Sequence, residues 1–365
     1  MKLLFIKGDN ALNVRMAKYF DFFGKRGDQC LFWGWDRDKS SPINEYVSRT
    51  TYLLSGGGFG GKKLLLYYPI WMIILFFKVL LTKNQHAIIV VVNFDAALPV
   101  YIASLFRRIP YIYEVHDEFA ISYHLPSAIK KVIRILDHAI MRKSDFVIHV
   151  DSNRVNYSEC RSIVLENSPA DTIQQVERDY AEVENIFAVI GNISTGRGIN
   201  SIRRFAYENP TIRILLVGKF YDPALKTSLL NLPNIEYQEY MPQDKLFSLL
   251  RTCSAIFSLY DPSLEVNRLA ASNKVYDAMM LGIPVITNPE VINSRFIKEE
   301  EIGIIVDYEY NETWDVLVRP DFIDIARELG RNGRKLYLNR YRFDKLIEQR
   351  LLPELLKHEA DHTRP

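Results

Sequence analysis

The chain has 365 residues, 48% hydrophobic and 25% charged, which is enough for two domains of ordinary size, each with its own core. A formal net charge of +2 gives no ground for a nucleic-acid partner. Cys30, Cys160 and Cys253 lie far apart without metal-ligand spacing, which fits a reduced, cytoplasmic setting.

The opening run Met1–Ile6 is too short for a signal peptide and reads as the first strand of a sheet. Asp36-Arg37-Asp38 spells the Asp-x-Asp of metal-dependent sugar transferases, but it follows an early strand and reads as a polar turn. The stretch SGGGFGGKK, Ser55 to Lys63, starts like a phosphate-binding loop. A P-loop needs a Ser or Thr hydroxyl after its lysine to hold magnesium, and Lys63 stands there instead. Leu64–Phe77 is continuously apolar around Pro69 and short for a membrane span. A buried helix and a membrane-surface helix both fit it, and Lys62, Lys63, Lys78 and Lys83 around it suit anionic headgroups.

Apolar runs at Ala87–Val92, Tyr111–Val115, Phe146–Val150, Phe187–Ile190, Ile212–Val217, Ala255–Leu259 and Ile283–Thr287 read as buried parallel strands. Amphipathic segments such as Ala128–Lys143, Asp244–Arg251 and Phe322–Tyr337 alternate with them. That alternation predicts an α/β protein with doubly wound sheets, ligands binding beyond the carboxyl ends of the strands. The polar stretch Asp171–Glu184 marks the domain boundary.

Two stretches of the second half carry chemistry. In FAVIGNISTGRGINSIRRFA a buried strand runs into Gly191, a polar loop, Gly196-Arg197-Gly198 and a helix. Glycines admit a ligand close to the backbone, free amides at the helix start attract phosphate, and Arg197 adds a permanent charge. A plain strand-to-helix turn with a surface arginine fits the same residues. In SNKVYDAMMLGIPVIT, Ser272 is placed to cap a helix that ends at Gly282. Lys274 and Asp277 share a face of it. The carboxylate suits two ribose hydroxyls and the ammonium suits phosphate, while a surface ion pair is the simpler reading.

In this order the residues resemble the GT-B glycosyltransferases, and glycosyltransferase family 4 in particular. The family's Gly-Arg-Leu-x-x-x-Lys-Gly loop is similar to Gly191-Asn192-Ile193-Ser194-Thr195-Gly196-Arg197-Gly198, with Arg197 on the diphosphate-holding lysine and Asn192 on the arginine. Leu215-Leu216-Val217-Gly218 resembles its Leu-x-x-Val-Gly strand end, and Tyr240-Met241-Pro242 its nucleobase-lining turn. Of its Glu-x7-Glu box, the second acid falls on Asp277 and the first on Leu269, which cannot bind a sugar hydroxyl; Asn267 and Arg268, beside it, are expected near the donor with Asn273. In the first half, Glu114-Val115-His116-Asp117 resembles the His-Asp turn that faces the donor sugar. Asn167-Ser168-Pro169 resembles the Asn-x-Pro before the linker, and NGRKLYLNRYRF the closing helix.

The resemblance implies a GT-B fold of two Rossmann-like domains facing a cleft. Residues 1–170 would bind the acceptor, 171–185 would link, 186–340 would bind the nucleotide sugar, and 341–365 would cross back to the first domain. It implies a hexosyltransferase-like enzyme, probable retention of configuration, no metal or other cofactor, and a saccharide or lipid-linked acceptor in surface-polysaccharide biosynthesis. His116, Asp117, Arg197 and Lys274 would carry the reaction. Gly191, Asn192, Gly196, Gly198, Gly218, Tyr240, Met241 and Asp277 would help hold the donor, and Gly8, Asp9, Lys62 and Lys63 would lie on the acceptor side. The location implied is cytoplasmic, with peripheral membrane contact through 62–83. A non-catalytic carbohydrate-binding protein and a nucleotide-sugar epimerase stay open as alternatives on the same fold.

Overall fold

β1 (Lys2–Lys7) is buried at five of its six positions, as a strand covered on both faces requires. It leads through α1 (Val14–Lys25), whose start is held by the Asn13 side chain accepting from the Arg15 amide, to β2 (Gln29–Asp36). β3 (Val47–Ser55), α2 (Lys63–Leu81), β4 (Ile88–Val92), α3 (Phe94–Phe106) and β5 (Ile112–Val115) follow. Then come α4 (Phe119–Ser122), α5 (Ser127–Lys143), β6 (Val147–His149) and β7 (Ser162–Val164). The strands form one seven-stranded sheet in the order β3-β2-β1-β4-β5-β6-β7, and every pairing is parallel. The structure, a computed structural model, describes all residues except 59–62, 83–86, 117, 123–124, 153–159, 172–177, 179–182, 270–271 and 364–365.

The second sheet repeats the plan. β8 (Glu184–Ile193), α6 (Ile199–Glu208), β9 (Arg213–Phe220), α7 (Pro223–Leu230), β10 (Ile235–Glu239) and α8 (Gln243–Leu250) open it. β11 (Cys253–Phe257), α9 (Glu265–Arg268), α10 (Asn273–Leu281), β12 (Val285–Thr287), α11 (Ser294–Glu299), β13 (Gly303–Ile305) and α12 (Phe322–Leu336) complete it. Its six strands run β10-β9-β8-β11-β12-β13, all parallel. In each sheet the strand order reverses beside the first strand, at β1/β4 and at β8/β11. In sheets of this kind ligands bind beyond such carboxyl ends.

The chain divides into two compact units, Met1–Asn167 with Asp344–Pro365, and Ser168–Phe343. The tail reaches the first unit through α13 (Phe343–Leu346) and α14 (Leu352–Thr363), with a π-helical turn between them rather than one continuous helix. Arg350 fastens it there, donating to the Val164 carbonyl at 2.9 Å and to Glu166 at 2.7 Å. Most of the polar stretch 171–185 lies outside the described residues. Arg178 is described, and its buried guanidinium donates to the carbonyls of Arg251, Gly282 and Cys253.

Candidate active site

β8 does not stop at Ile190. It runs on through Gly191 and Asn192, which pair with Gly218 and Lys219 of β9. A Cβ on Gly218 would lie 1.8 Å from the Gly191 carbonyl oxygen, so only glycine lets the two strand ends come this close. A single helical turn, Thr195–Arg197, follows, and Gly198 (φ 70°) reverses the backbone into α6. A side chain at Gly198 would meet Leu259 at 2.7 Å.

This turn delivers Arg197 to Tyr260, its guanidinium carbon 4.1 Å from the ring centroid. Lys274, in the first turn of α10, brings its Nζ to 5.9 Å from the same ring. The Arg197 Nη1 group is buried and has no hydrogen-bond partner among the described residues. Burial lowers the pKa of the Lys274 ammonium and the Arg197 charge lowers it further, against the opposing influence of Tyr260 and Asp277. Burial would raise the Tyr260 hydroxyl, yet Lys274 and Arg197, with hydrogen bonds from Ser272 and Ser258, hold it below its ordinary value. Two neighbouring cations therefore set the local field, and an anion is what such a site favours.

The platform under them is rigid. Asn288 is fully buried, accepts from the Tyr260 amide at 2.9 Å and donates to the Tyr260 carbonyl at 3.1 Å. The Asp261 amide donates to the Gly196 carbonyl at 3.1 Å, and the Tyr308 hydroxyl to the Thr195 carbonyl at 2.7 Å. Ser272 occupies the N-cap position of α10 but does not cap it with its side chain; its hydroxyl lies 3.0 Å from the Ser258 hydroxyl, beneath the platform.

The structure gathers Gly191, Gly196, Arg197, Gly198, Gly218, Lys274 and Asp277 around this turn and the head of α10, with Asn273 exposed at the helix start. Other expected donor residues have these surroundings. The Asn267 amide donates to the Asp261 carbonyl at 3.1 Å and Arg268 to the Pro262 carbonyl at 2.7 Å, both holding their own loop. Met241 turns toward the core of the unit, while Tyr240 is 68% exposed with Lys219 5.1 Å above its ring. Asn192 is exposed and accepts from the Tyr221 hydroxyl at 3.4 Å. Tyr260 itself was not singled out in the sequence, because a tyrosine ending an apolar run carries no signal distinct from core.

In the first unit, the carboxyl end of β5 presents His116. Its Nδ1 lies 3.2 Å from the Lys7 Nζ, and its Nε2 3.3 Å from Glu114. Burial and the Lys7 charge pull the His116 pKa down to about 4, although Glu114 opposes them, so the ring is neutral near pH 7. Glu114 is fully buried, with Arg15 Nε at 2.6 Å and the Tyr19 hydroxyl at 2.7 Å, and these partners outweigh its burial and hold its carboxyl well below the usual range. Gly8 follows β1, and a Cβ there would strike Asp95 Oδ2 at 2.1 Å. Asp9 accepts from the Asn13 amide at 2.8 Å. Asp117 and Lys62 lie outside the described residues, and Lys63 begins α2. Lys7, Arg15 and Asp95 escaped sequence reasoning, since their partners are distant in the chain.

In the described part of the glycine loop, Gly56, Gly57 and Gly58 all have positive φ (87°, 96° and 69°), and the amides of Gly56 and Gly58 donate to the Asp36 and Arg37 carbonyls at 2.7 and 3.0 Å. Those two amides are taken, which ties this part of the loop down rather than leaving it loose; residues 59–62 lie outside the described residues. Asp36 and Asp38 serve the same corner, accepting from the Ser41 and Ser40 hydroxyls at 2.9 and 2.7 Å.

No sequence family and no curated relative matches the chain. Solved structures do. A sucrose-phosphate synthase from Thermosynechococcus elongatus is 15% identical and aligns over 100% of both chains with a TM-score of 0.77. HepE from Anabaena, solved in complex with UDP, is 15% identical over 98% of this chain and 100% of its own, with a TM-score of 0.73. A UDP-forming α,α-trehalose-phosphate synthase from Burkholderia vietnamiensis is 10% identical over 100% and 99% of the two chains, with a TM-score of 0.63. The chain has the GT-B glycosyltransferase fold, built from two doubly wound parallel sheets with flanking helices.

Proposed function

We propose that the chain is a nucleotide-sugar-dependent glycosyltransferase of the family 4 kind, with its donor on the second unit and its acceptor on the first. The observation that carries this reading is the buried Arg197 Nη1, without a partner among the described residues, beside Lys274 on one aromatic platform. A diphosphate offers the acceptors and the charge that this pair lacks. HepE has been solved with UDP, with UDP and glucose, and with UDP-glucose, which supports a uridine donor here.

In this reading Arg197 and Lys274 take up the charge that develops on the departing diphosphate, the part a metal plays in other transferases. Asp277, one turn along α10 from Lys274, takes the ribose hydroxyls. In the family the chain resembles, a histidine at the position of His116 faces the donor sugar, and this ring is neutral near pH 7. The described site residues include no nucleophile, and retention rests on the resemblance to family 4: the acceptor would attack from the face the diphosphate leaves, its proton passing to the leaving phosphate. The acceptor we assign is a saccharide or lipid-linked saccharide of surface-polysaccharide assembly, met at the inner face of the cytoplasmic membrane. A nucleotide-sugar panel with UDP calorimetry tests this. Transfer or slow donor hydrolysis with UDP release supports it; epimerisation, or binding without turnover, replaces it with the corresponding alternative.

A further inference from the structure

α2, α3 and α5 pack on one face of the first sheet and share one core with β1, β2, β4, β5 and β6. Trp71, Leu75 and Val79 are the inward side of α2. Its outward side is apolar as well. Among its described side chains the exposed ones are Leu66, Pro69, Ile70, Ile73, Phe77 and Leu81, which recur every three or four residues, Pro69 and Ile70 side by side, as one stripe along the helix. Leu66 is 70% and Leu81 76% exposed. α3 continues the stripe through Ile102, Leu105 and Phe106, the Phe76 and Phe106 rings lying 6.2 Å apart. α5 adds Ile129, Val132 and Ile135, again exposed. Three neighbouring helices with apolar outer faces form a contiguous patch, which a lone soluble domain seldom leaves bare.

The exposed charges on and just after these helices have one sign. Arg107 and Arg108 close α3, Lys131 and Arg134 stand among the exposed apolar residues of α5, and Arg142 and Lys143 end it, all exposed. Arg134 is paired with Glu118 at 2.9 Å, from the segment before α5. The three helices themselves carry only two acids, Asp95 and Asp137, and both are buried. Among the described residues no helix is long and apolar enough to cross a membrane. α2 is moreover held flat on the sheet by its inner face.

We propose that the α2–α3–α5 face docks the protein onto an anionic lipid bilayer, the apolar stripe entering the headgroup boundary and the arginines and lysines meeting lipid phosphates. A second copy is the poorer occupant, because a two-fold contact through this face would set like charges against each other. This deepens the membrane location proposed above and is independent of the donor site, so UDP binding is measured separately from lipid binding.

The test is co-sedimentation of the full chain with phosphatidylglycerol–phosphatidylcholine vesicles and with phosphatidylcholine alone. Binding to the anionic vesicles is expected to be stronger by about tenfold or more and to weaken as salt rises. Ile73→Glu with Phe77→Glu is expected to cut it by about tenfold or more while melting temperature and UDP affinity hold. Arg142→Glu with Lys143→Glu, on another helix, is expected to abolish the preference for anionic lipid. Equal binding to both vesicles, or wild-type binding by both double variants, overturns the proposal. So does an ultracentrifugal dimer that the Ile73→Glu, Phe77→Glu chain loses, together with no vesicle binding.

Discussion

At the end of β5 the buried Glu114 carboxylate has Arg15 Nε at 2.6 Å and the Tyr19 hydroxyl at 2.7 Å, whereas near the end of β8 the buried Arg197 Nη1 has no partner among the described residues. Both places stand beside the reversal of strand order in sheets of one topology. In the first unit opposite charges meet and the cluster is closed in charge, although Glu114 Oε2 has no hydrogen-bond partner among the described residues. In the second, two cations share the Tyr260 ring and a local excess of charge is left over. A closed network fixes its own geometry, while an open one gains most when an anion arrives. The topology is common to both units, so the difference lies in the side chains placed at the switch points.

The sharpest way to break the closed side is to remove one partner of the Arg15–Glu114 pair. Glu114→Gln leaves the Arg15 guanidinium buried without its counter-charge, and a loss of about 3–5 kcal/mol is expected in urea unfolding. UDP calorimetry below the unfolding transition is expected to be unchanged, since the proposed donor residues lie in the other unit. A loss under about 1 kcal/mol would show that the network does not hold the first unit together.

The open side is expected to respond in the opposite way. Arg197→Ala and Lys274→Ala each lower turnover by about ten- to thousandfold, because each removes charge stabilisation from the leaving diphosphate. Affinity for free UDP falls with them, the product presenting the same charge. Stability stays level, since each substitution relieves repulsion between like charges. Unchanged UDP affinity in both variants would remove the diphosphate from this turn.

Acid separates the units again. All seven histidines lie outside residues 168–343. Burial pulls His149 down to about 4, and burial with the Lys7 charge does the same for His116. Their folded pKa values lie below the unfolded value, so between about pH 6.5 and 4 the unfolded chain takes up protons that the native first unit refuses. The histidine contribution is complete above about pH 6.5 and falls by about 2–3 kcal/mol for each as pH drops toward 4, while Asp137, pushed up to about 6 by burial, takes up its proton in the native state first and offsets part of that loss. Trp314→Phe leaves Trp33, Trp35 and Trp71 as fluorescent reporters of the first unit, and their melting temperature is expected to drop over this window. A chain keeping only Trp314 is expected to show the second unit far less sensitive.

The alternation of strands and helices was legible in the sequence because buried parallel strands are unbroken apolar runs and their crossover helices are amphipathic. Arg197 and Lys274 were legible too, each standing where the chain passes from a glycine or a serine into a helix. Tyr260 was not, although it brings the two together. Nor was the Arg15–Glu114 pair, whose members stand 99 residues apart and meet only once the sheet has formed. Strand ends were read short at Gly191, because glycine marks a turn in sequence, while here it lets β8 and β9 approach and continue.

Asp277 gives the finest test of the open site. It is half-buried at i+3 from Lys274, and its charge supports the Lys274 ammonium against burial. The proposed function would give this one carboxylate two roles: holding ribose hydroxyls, and supporting the Lys274 charge that meets the diphosphate. Asp277→Asn is expected to weaken UDP binding by about tenfold, the scale of a hydrogen bond to a charged group. Asp277→Glu keeps the charge and is expected to bind nearly as the parent does. Deoxy-UDP divides the roles. If the carboxylate holds the ribose, the parent binds deoxy-UDP more weakly than UDP, and Asp277→Asn abolishes that difference. Equal losses for the two nucleotides would leave Asp277 acting through Lys274 alone, and raising the pH would then cost the Asn variant more affinity than the parent, its lysine having lost a carboxylate that supports its charge.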